Sequence, residues 1–189
     1  MKVISDDTFL TWAAEVGLEP DERYTAPRQL VFPSSYESQL VWELPSDAAH
    51  LVRFVRAALS AASETGEYRF RLRGGGFWTS EASPDDSEFN RIVRAFKIPE
   101  NVAGALEFSA EETETAVGLA VASAIHGVSV ATDLEIVPAE RRVCLMMSHH
   151  NEMTAHFPAP ADLDQFQARL EEAGYRTDDD ELALQETEH

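Results

Sequence analysis

Cysteine, lysine and long apolar runs are all scarce in this chain of 189 residues. Cys144 is the single cysteine. No internal disulfide can form, and nothing points to an oxidising compartment. No stretch approaches the roughly 18 consecutive apolar residues of a membrane-spanning helix. The first residues, Met1 to Asp7, lack the basic start and apolar stretch of a secretory signal. Together these absences lead us to expect a soluble protein of the cytoplasm.

Several motifs are missing as well. Gly74-Gly75-Gly76 is not followed by Gly-Lys-Ser/Thr, and no Gly-x-Gly-x-x-Gly occurs. That removes the two common phosphate-binding loops. No Gly-x-Ser-x-Gly elbow presents a serine nucleophile. No His-Glu-x-x-His pair supplies a zinc site. Cys144 lies in an apolar stretch, the setting of an inert thiol rather than an activated thiolate. A non-enzymatic role is therefore expected ahead of an enzymatic one, and no cofactor is expected.

What is abundant is negative charge. The chain carries 34 acidic and 15 basic residues, for a formal net charge of −19. The excess is uneven. Residues 1–52 hold 9 acids and 3 bases, 53–97 hold 6 and 8, and 98–189 hold 19 and 4; no lysine or arginine occurs over 98–140. Such a balance disfavours binding to nucleic acid or anionic membranes, where basic surfaces supply the affinity. It suits docking on a protein partner with a basic surface. Salt adaptation or genome composition could produce the same acidity, and the sequence leaves the oligomeric state open.

Apolar residues make up 44% of the chain, enough for a packed core. Residues 1–176 read as one α+β domain, with an irregular part at 1–38 that holds one helix, and 177–189 as an acidic tail. Asp6 or Asp7 would cap the first helix, which runs through Trp12 and Val16 to Gly17. Gln39 to Leu44 reads as a strand. Leu51, Val55, Ala58, Leu59 and Ala62 recur at helical spacing after Asp47. Ser83-Pro84-Asp85 begins a helix carrying Phe89, Ile92, Val93 and Phe96. Ser109-Ala110-Glu111-Glu112 has the capping-box spacing, ahead of an almost wholly apolar helix. Three strands at 128–137, 142–149 and 152–157 follow with short links. A last helix spans about 161–173. The expected fold is a mixed, largely antiparallel sheet of five to seven strands covered by about four helices.

Functional candidates are few. In 67–73, Tyr68, Phe70 and Leu72 alternate with Arg69, Arg71 and Arg73. A strand would put the three arginines on one face. There they could grip a phosphate or carboxylate ligand, helped by the close backbone approach that Gly74, Gly75 and Gly76 allow. The alternative is a strand face paired with the protein's own carboxylates. Phe77 and Trp78 could anchor a partner or fold back onto the core. Glu111, Glu112 and Glu114 are acidic contacts for a basic partner. His149, Glu152 and His156 are the only metal-ligating candidates, at a spacing that matches no zinc motif. Asp133 and Glu135 would share a strand face as a carboxylate pair.

Overall fold

A computed structural model describes residues 1–21, 28–32, 39–76, 78, 88–99, 102–127 and 132–175. The strands are β1 (Lys2–Ile4), β2 (Glu19–Pro20), β3 (Leu30–Val31), β4 (Gln39–Glu43), β5 (Tyr68–Leu72), β6 (Ala105–Phe108), β7 (Leu134–Pro138), β8 (Cys144–Ser148) and β9 (Glu152–His156). The helices are α1 (Asp6–Ala14), α2 (Ala48–Ala62), α3 (Glu88–Ala95), α4 (Thr113–His126) and α5 (Pro160–Glu172). The acidic 177–189, the proposed helix start at Ser83 to Asp85 and the first part of the 128–137 strand lie outside the described residues.

Seven strands form one sheet in the order β1-β6-β5-β7-β8-β9-β4, and β2 pairs with β3 apart from it. The α+β class is as expected. The mixed character is not: every pairing among the described residues is antiparallel. The reason lies in the connections. The links β7-β8 and β8-β9 are too short for a parallel crossover, and the longer excursions return on the opposite heading.

Strand alternation gives the sheet two faces of different character. Tyr68, Phe70, Leu72, Leu106, Phe108, Ile136, Leu145, Met147 and Met153 are buried in one cluster with α2, α4 and α5. Trp42 lies against Phe54 of α2 and Phe166 of α5, with ring centroids 6.4 and 6.0 Å away. Helix α4 is apolar on nearly all sides, and Ala116, Val117, Leu119, Ala120, Val121 and Ala124 are buried accordingly. The other face is covered by α1 and by the segment around β3. Ile4, Phe9, Ala13, Leu18, Leu30 and Phe32 there meet Ala105, Val137 and Cys144.

Local chemistry explains most boundaries. Asp47 caps α2, its carboxylate accepting from the His50 amide at 2.8 Å. Ser109 and Glu112 close the expected capping box. Two N-terminal expectations change. Ser5, not Asp6 or Asp7, caps α1 by accepting from the Thr8 amide, because the Asp6 carboxylate is turned toward the sheet. The helix also ends at Ala14, before Val16, and the Leu18 amide bonds back to Ala13 through a turn at Gly17, φ +81°. The part expected to be irregular contains β1. Its three residues pair with β6 in the register Lys2 to Glu107 and Ile4 to Ala105. So short a strand leaves no periodicity to read.

Candidate functional site

The residues singled out by charge and chemistry meet on the α1 side of the sheet. Period-two alternation in β5 sends Arg69 and Arg71 to that side, and Arg73 joins them from the turn that follows the strand. Arg69 stands opposite Glu107 on β6 and Val137 on β7, and Arg71 opposite Ala105 and Glu135.

Arg71 is the centre. It is 3% exposed, and its guanidinium joins two carboxylates from distant parts of the chain. Nε donates to Asp6 Oδ1 at 2.6 Å, and Nη1 to Glu135 Oε2 at 2.7 Å. Glu135 is fully buried and also accepts from the Leu30 amide at 2.6 Å. Burial acts to lower the Arg71 pKa, but hydrogen bonds and charge from Asp6 and Glu135 outweigh it and raise it. Complete burial pushes the Glu135 carboxyl above its ordinary range, against the pull of Arg71 and the Leu30 amide. The Cys144 thiol, close enough to feel Glu135, is pushed up chiefly by its own burial. That fits an inert thiol.

Arg69 donates twice to Glu107 Oε1, at 3.0 and 2.7 Å, and its guanidinium carbon lies 3.9 Å from the Trp12 ring centroid. The bond to Arg69 holds Glu107 below the usual carboxylate range. Arg73 donates to Asp133 at 3.2 Å. Asp133, 1% exposed, accepts both the backbone amide and Nδ1 of His149 at 2.8 Å. Asp133 and Glu135 do share a side of the sheet, and each takes an arginine.

The glycines serve this arrangement. Gly74 and Gly75 sit at φ +73°, open to glycine at little strain. A Cβ on Gly75 would stand 2.6 Å from Asp6 Oδ2. The close approach that the glycines permit is used by an anion, and that anion is Asp6 of the same chain. Phe77 lies outside the described residues. Trp78 is fully buried and donates its indole N–H to Gly104 O at 3.0 Å.

The remaining candidates are dispersed. Glu112 caps its helix and pairs with the Met1 amino group, Glu114 is held by Arg56 at 2.7 and 3.0 Å, and Glu111 is exposed. His156 pairs in register with Cys144 at one end of β9, whereas Glu152 pairs with Ser148 at the other. Four residues of strand span about 13 Å. His149 turns to Asp133 instead. Among the described residues no three His, Cys, Asp or Glu side chains are grouped to hold a metal ion.

Sequence reasoning saw the arginine stripe but not its partners. Asp6 lies 65 residues and Glu135 64 residues from Arg71. Neither helix periodicity nor local spacing links such positions. The one available sign was the arithmetic of charge: three arginines in five residues of a very acidic chain have carboxylates to meet. A cleft of about 430 Å³ opens beside Trp12, Arg69, Glu107 and Ser109, within the size range of ligand pockets. Glu107 and Arg69 in its wall are already bonded to each other. No helix among the described residues is long and apolar enough to cross a membrane.

Comparison with known proteins adds no relative: no family model matches the chain, and no curated protein or solved structure does.

Proposed function

We propose that this chain is a non-enzymatic protein-interaction module whose acidic surface docks on a basic partner, as an inhibitor, immunity-type protein or adaptor would. The observation that carries this reading is the way its charges are divided. Arg56, Arg69, Arg71, Arg73, Arg141 and Arg169 each face a carboxylate of the same chain. Glu43, Glu67, Glu111, Glu152, Asp164 and Glu172 are exposed, with no cation bonded to them among the described residues. Each of the arginine pairs cancels one cation against one carboxylate, so the chain's excess of acidic residues is carried by exposed carboxylates such as these. Their field speeds encounter with a basic protein and sets the orientation of docking. It repels nucleic acid and anionic lipid.

The same division weighs against the other function considered, an anionic ligand held by Arg69, Arg71 and Arg73. Such a ligand would have to displace Asp6 and Glu135 from Arg71, leaving a fully buried carboxylate without its cation.

The test is capture of the tagged protein from its host's lysate at about 0.1 M and then about 1 M salt, between which the Debye length falls from about 10 to about 3 Å. A stoichiometric basic partner should be held at the lower salt and released at the higher. It should be lost when Glu111, Glu152 and Glu172 are changed to lysine. Undiminished capture by that triple variant would remove the reading.

A further inference from the structure

The sheet ends on β4, and the outer side of that strand has a definite chemistry. The Leu44 amide donates to Asn151 O at 2.7 Å, so Leu44 and Asn151 form a hydrogen-bonded pair just beyond β4 and β9. The register then runs Glu43 to Glu152, Trp42 to Met153, Val41 to Thr154 and Gln39 to His156. Antiparallel pairs alternate between bonded and non-bonded. Trp42 and Leu40 therefore direct their backbone groups toward β9, and Gln39, Val41 and Glu43 direct theirs away from the sheet. β4 has no second neighbour strand among the described residues. These same three residues are the exposed ones of the strand, and Val41, at 50%, shares the highest exposure among the large hydrophobic side chains of the described residues.

We propose that β4 is a self-pairing edge, and that two copies of this chain join antiparallel through it with Val41 on the two-fold axis. The five residues are complementary to themselves in that register. Val41 meets Val41 of the second copy, and Gln39 meets Glu43 twice over. All three outward-directed residues fall at bonded positions, so each brings its N–H and C=O to a partner. No glutamate stands opposite a glutamate, since the neutral Gln39 amide faces the Glu43 carboxylate and can donate to it. Two seven-stranded sheets become one continuous sheet, and an unpaired row of backbone donors and acceptors is covered. A β-branched apolar pair at the centre suits such a junction. The opposing term is the net charge of each copy. Because salt screens that repulsion, self-association should strengthen as ionic strength rises. The basic partner proposed above should be lost over the same change, so the two readings stand or fall separately.

Sedimentation of the full chain across micromolar to millimolar concentration, at low and high salt, tests the proposal. A monomer–dimer equilibrium displaced toward dimer by salt is expected. Val41→Pro removes the outward N–H and Val41→Glu sets two carboxylates against each other on the axis. Both should abolish the dimer, and Val41→Glu should leave the melting temperature of the monomer unchanged. With Cys144 buried, Val41→Cys should form one intermolecular disulfide on mild oxidation. A wild-type monomer under all conditions overturns the proposal. So does a dimer that survives Val41→Glu, a Val41→Cys variant that gives no covalent dimer, or protection of the Gln39, Val41 and Glu43 amides from hydrogen exchange only when a lysine-rich peptide is added.

Discussion

Phe70 and Arg71 are neighbours in β5, yet the first is buried against aromatic rings and the second between carboxylates. The pleat that separates them divides the whole sheet. On the side of Phe70 the helices α2, α4 and α5 exclude water by apolar packing. That is additive, non-directional and tolerant of which apolar residue fills which space. On the side of Arg71 the first helix is clamped by directed bonds: Asp6 to Arg71, Arg71 to Glu135, Glu135 to the Leu30 amide. Such a network specifies position more than it adds stability, because desolvation of the ions consumes much of their attraction. The first side decides whether the chain collapses; the second decides where α1 and the segment around β3 lie on the result.

Paired truncations should separate the two sides. Phe70→Ala leaves a cavity and is expected to cost about 3–5 kcal/mol in urea unfolding, with no second substitution restoring it. Arg71→Met is expected to cost a similar amount, about 3–5 kcal/mol at neutral pH, because Glu135 is left charged and buried. This loss should be recoverable. Lowering the pH lets Glu135 take up a proton, and the double variant Arg71→Met with Glu135→Leu should regain most of the stability. If the double variant is as unstable as the single one, the clamp contributes packing rather than charge.

A smaller effect is expected at the glycine turn. Gly75→Ala introduces a Cβ at positive φ and against Asp6, and should cost about 1–3 kcal/mol. Combined with Asp6→Ala, the cost should fall toward that of the backbone strain alone. Asp47→Ala, on the other side of the sheet, should cost about 1 kcal/mol through loss of the α2 cap, whatever residue stands at Asp6.

The finest comparison is in pH. The bond from Arg69 lowers the pKa of Glu107, and the amides of Glu64 and Thr65, with the Ser63 hydroxyl, lower that of Glu140 against its partial burial. Both contributions are complete above the ordinary value of 4.5, and are lost as pH falls through the lower folded values. Glu135, raised by burial, acts in the opposite sense: its native form loses stability as pH rises through its folded value. Melting temperature against pH should therefore fall on the acid side less steeply than in Glu135→Gln, and Glu140→Gln should flatten the fall. A Glu135→Gln curve parallel to that of the unaltered protein would show that the buried carboxyl does not titrate in this range.

How much of this could be read from sequence depends on the distance over which each signal acts. The α2 cap at Asp47, the capping box at Ser109 and Glu112, and the alternation of Tyr68 to Leu72 are carried by residues within one turn or one strand, and all were legible. The class of fold followed from counting such units. The clamp was only half legible. Three arginines on one side of a strand are visible, but Asp6, Glu135 and the Leu30 amide are brought to them by strand order, which local pattern does not encode. β1 was missed for the related reason that its only evidence is its partner, β6. Trp78 could anchor a partner or seal the core, since a tryptophan after glycines has the same appearance in either case. Its indole bond to Gly104 decides for the interior.

The pairing of β4 with β9 also fixes the order of events while the chain is being made. β4 is complete at residue 43, and its partner does not begin until residue 152. At translation rates of about 5–20 residues per second, the strand waits about 5–20 s for a neighbour. Of the two rings that flank Trp42, only Phe54 is present in that interval, since Phe166 comes later still. The polar ends of the strand, Gln39 and Glu43, keep it hydrated while it waits. The ribosome's pace through the intervening residues thus becomes a term in the folding yield, and it is set by the position in the gene of a five-residue strand.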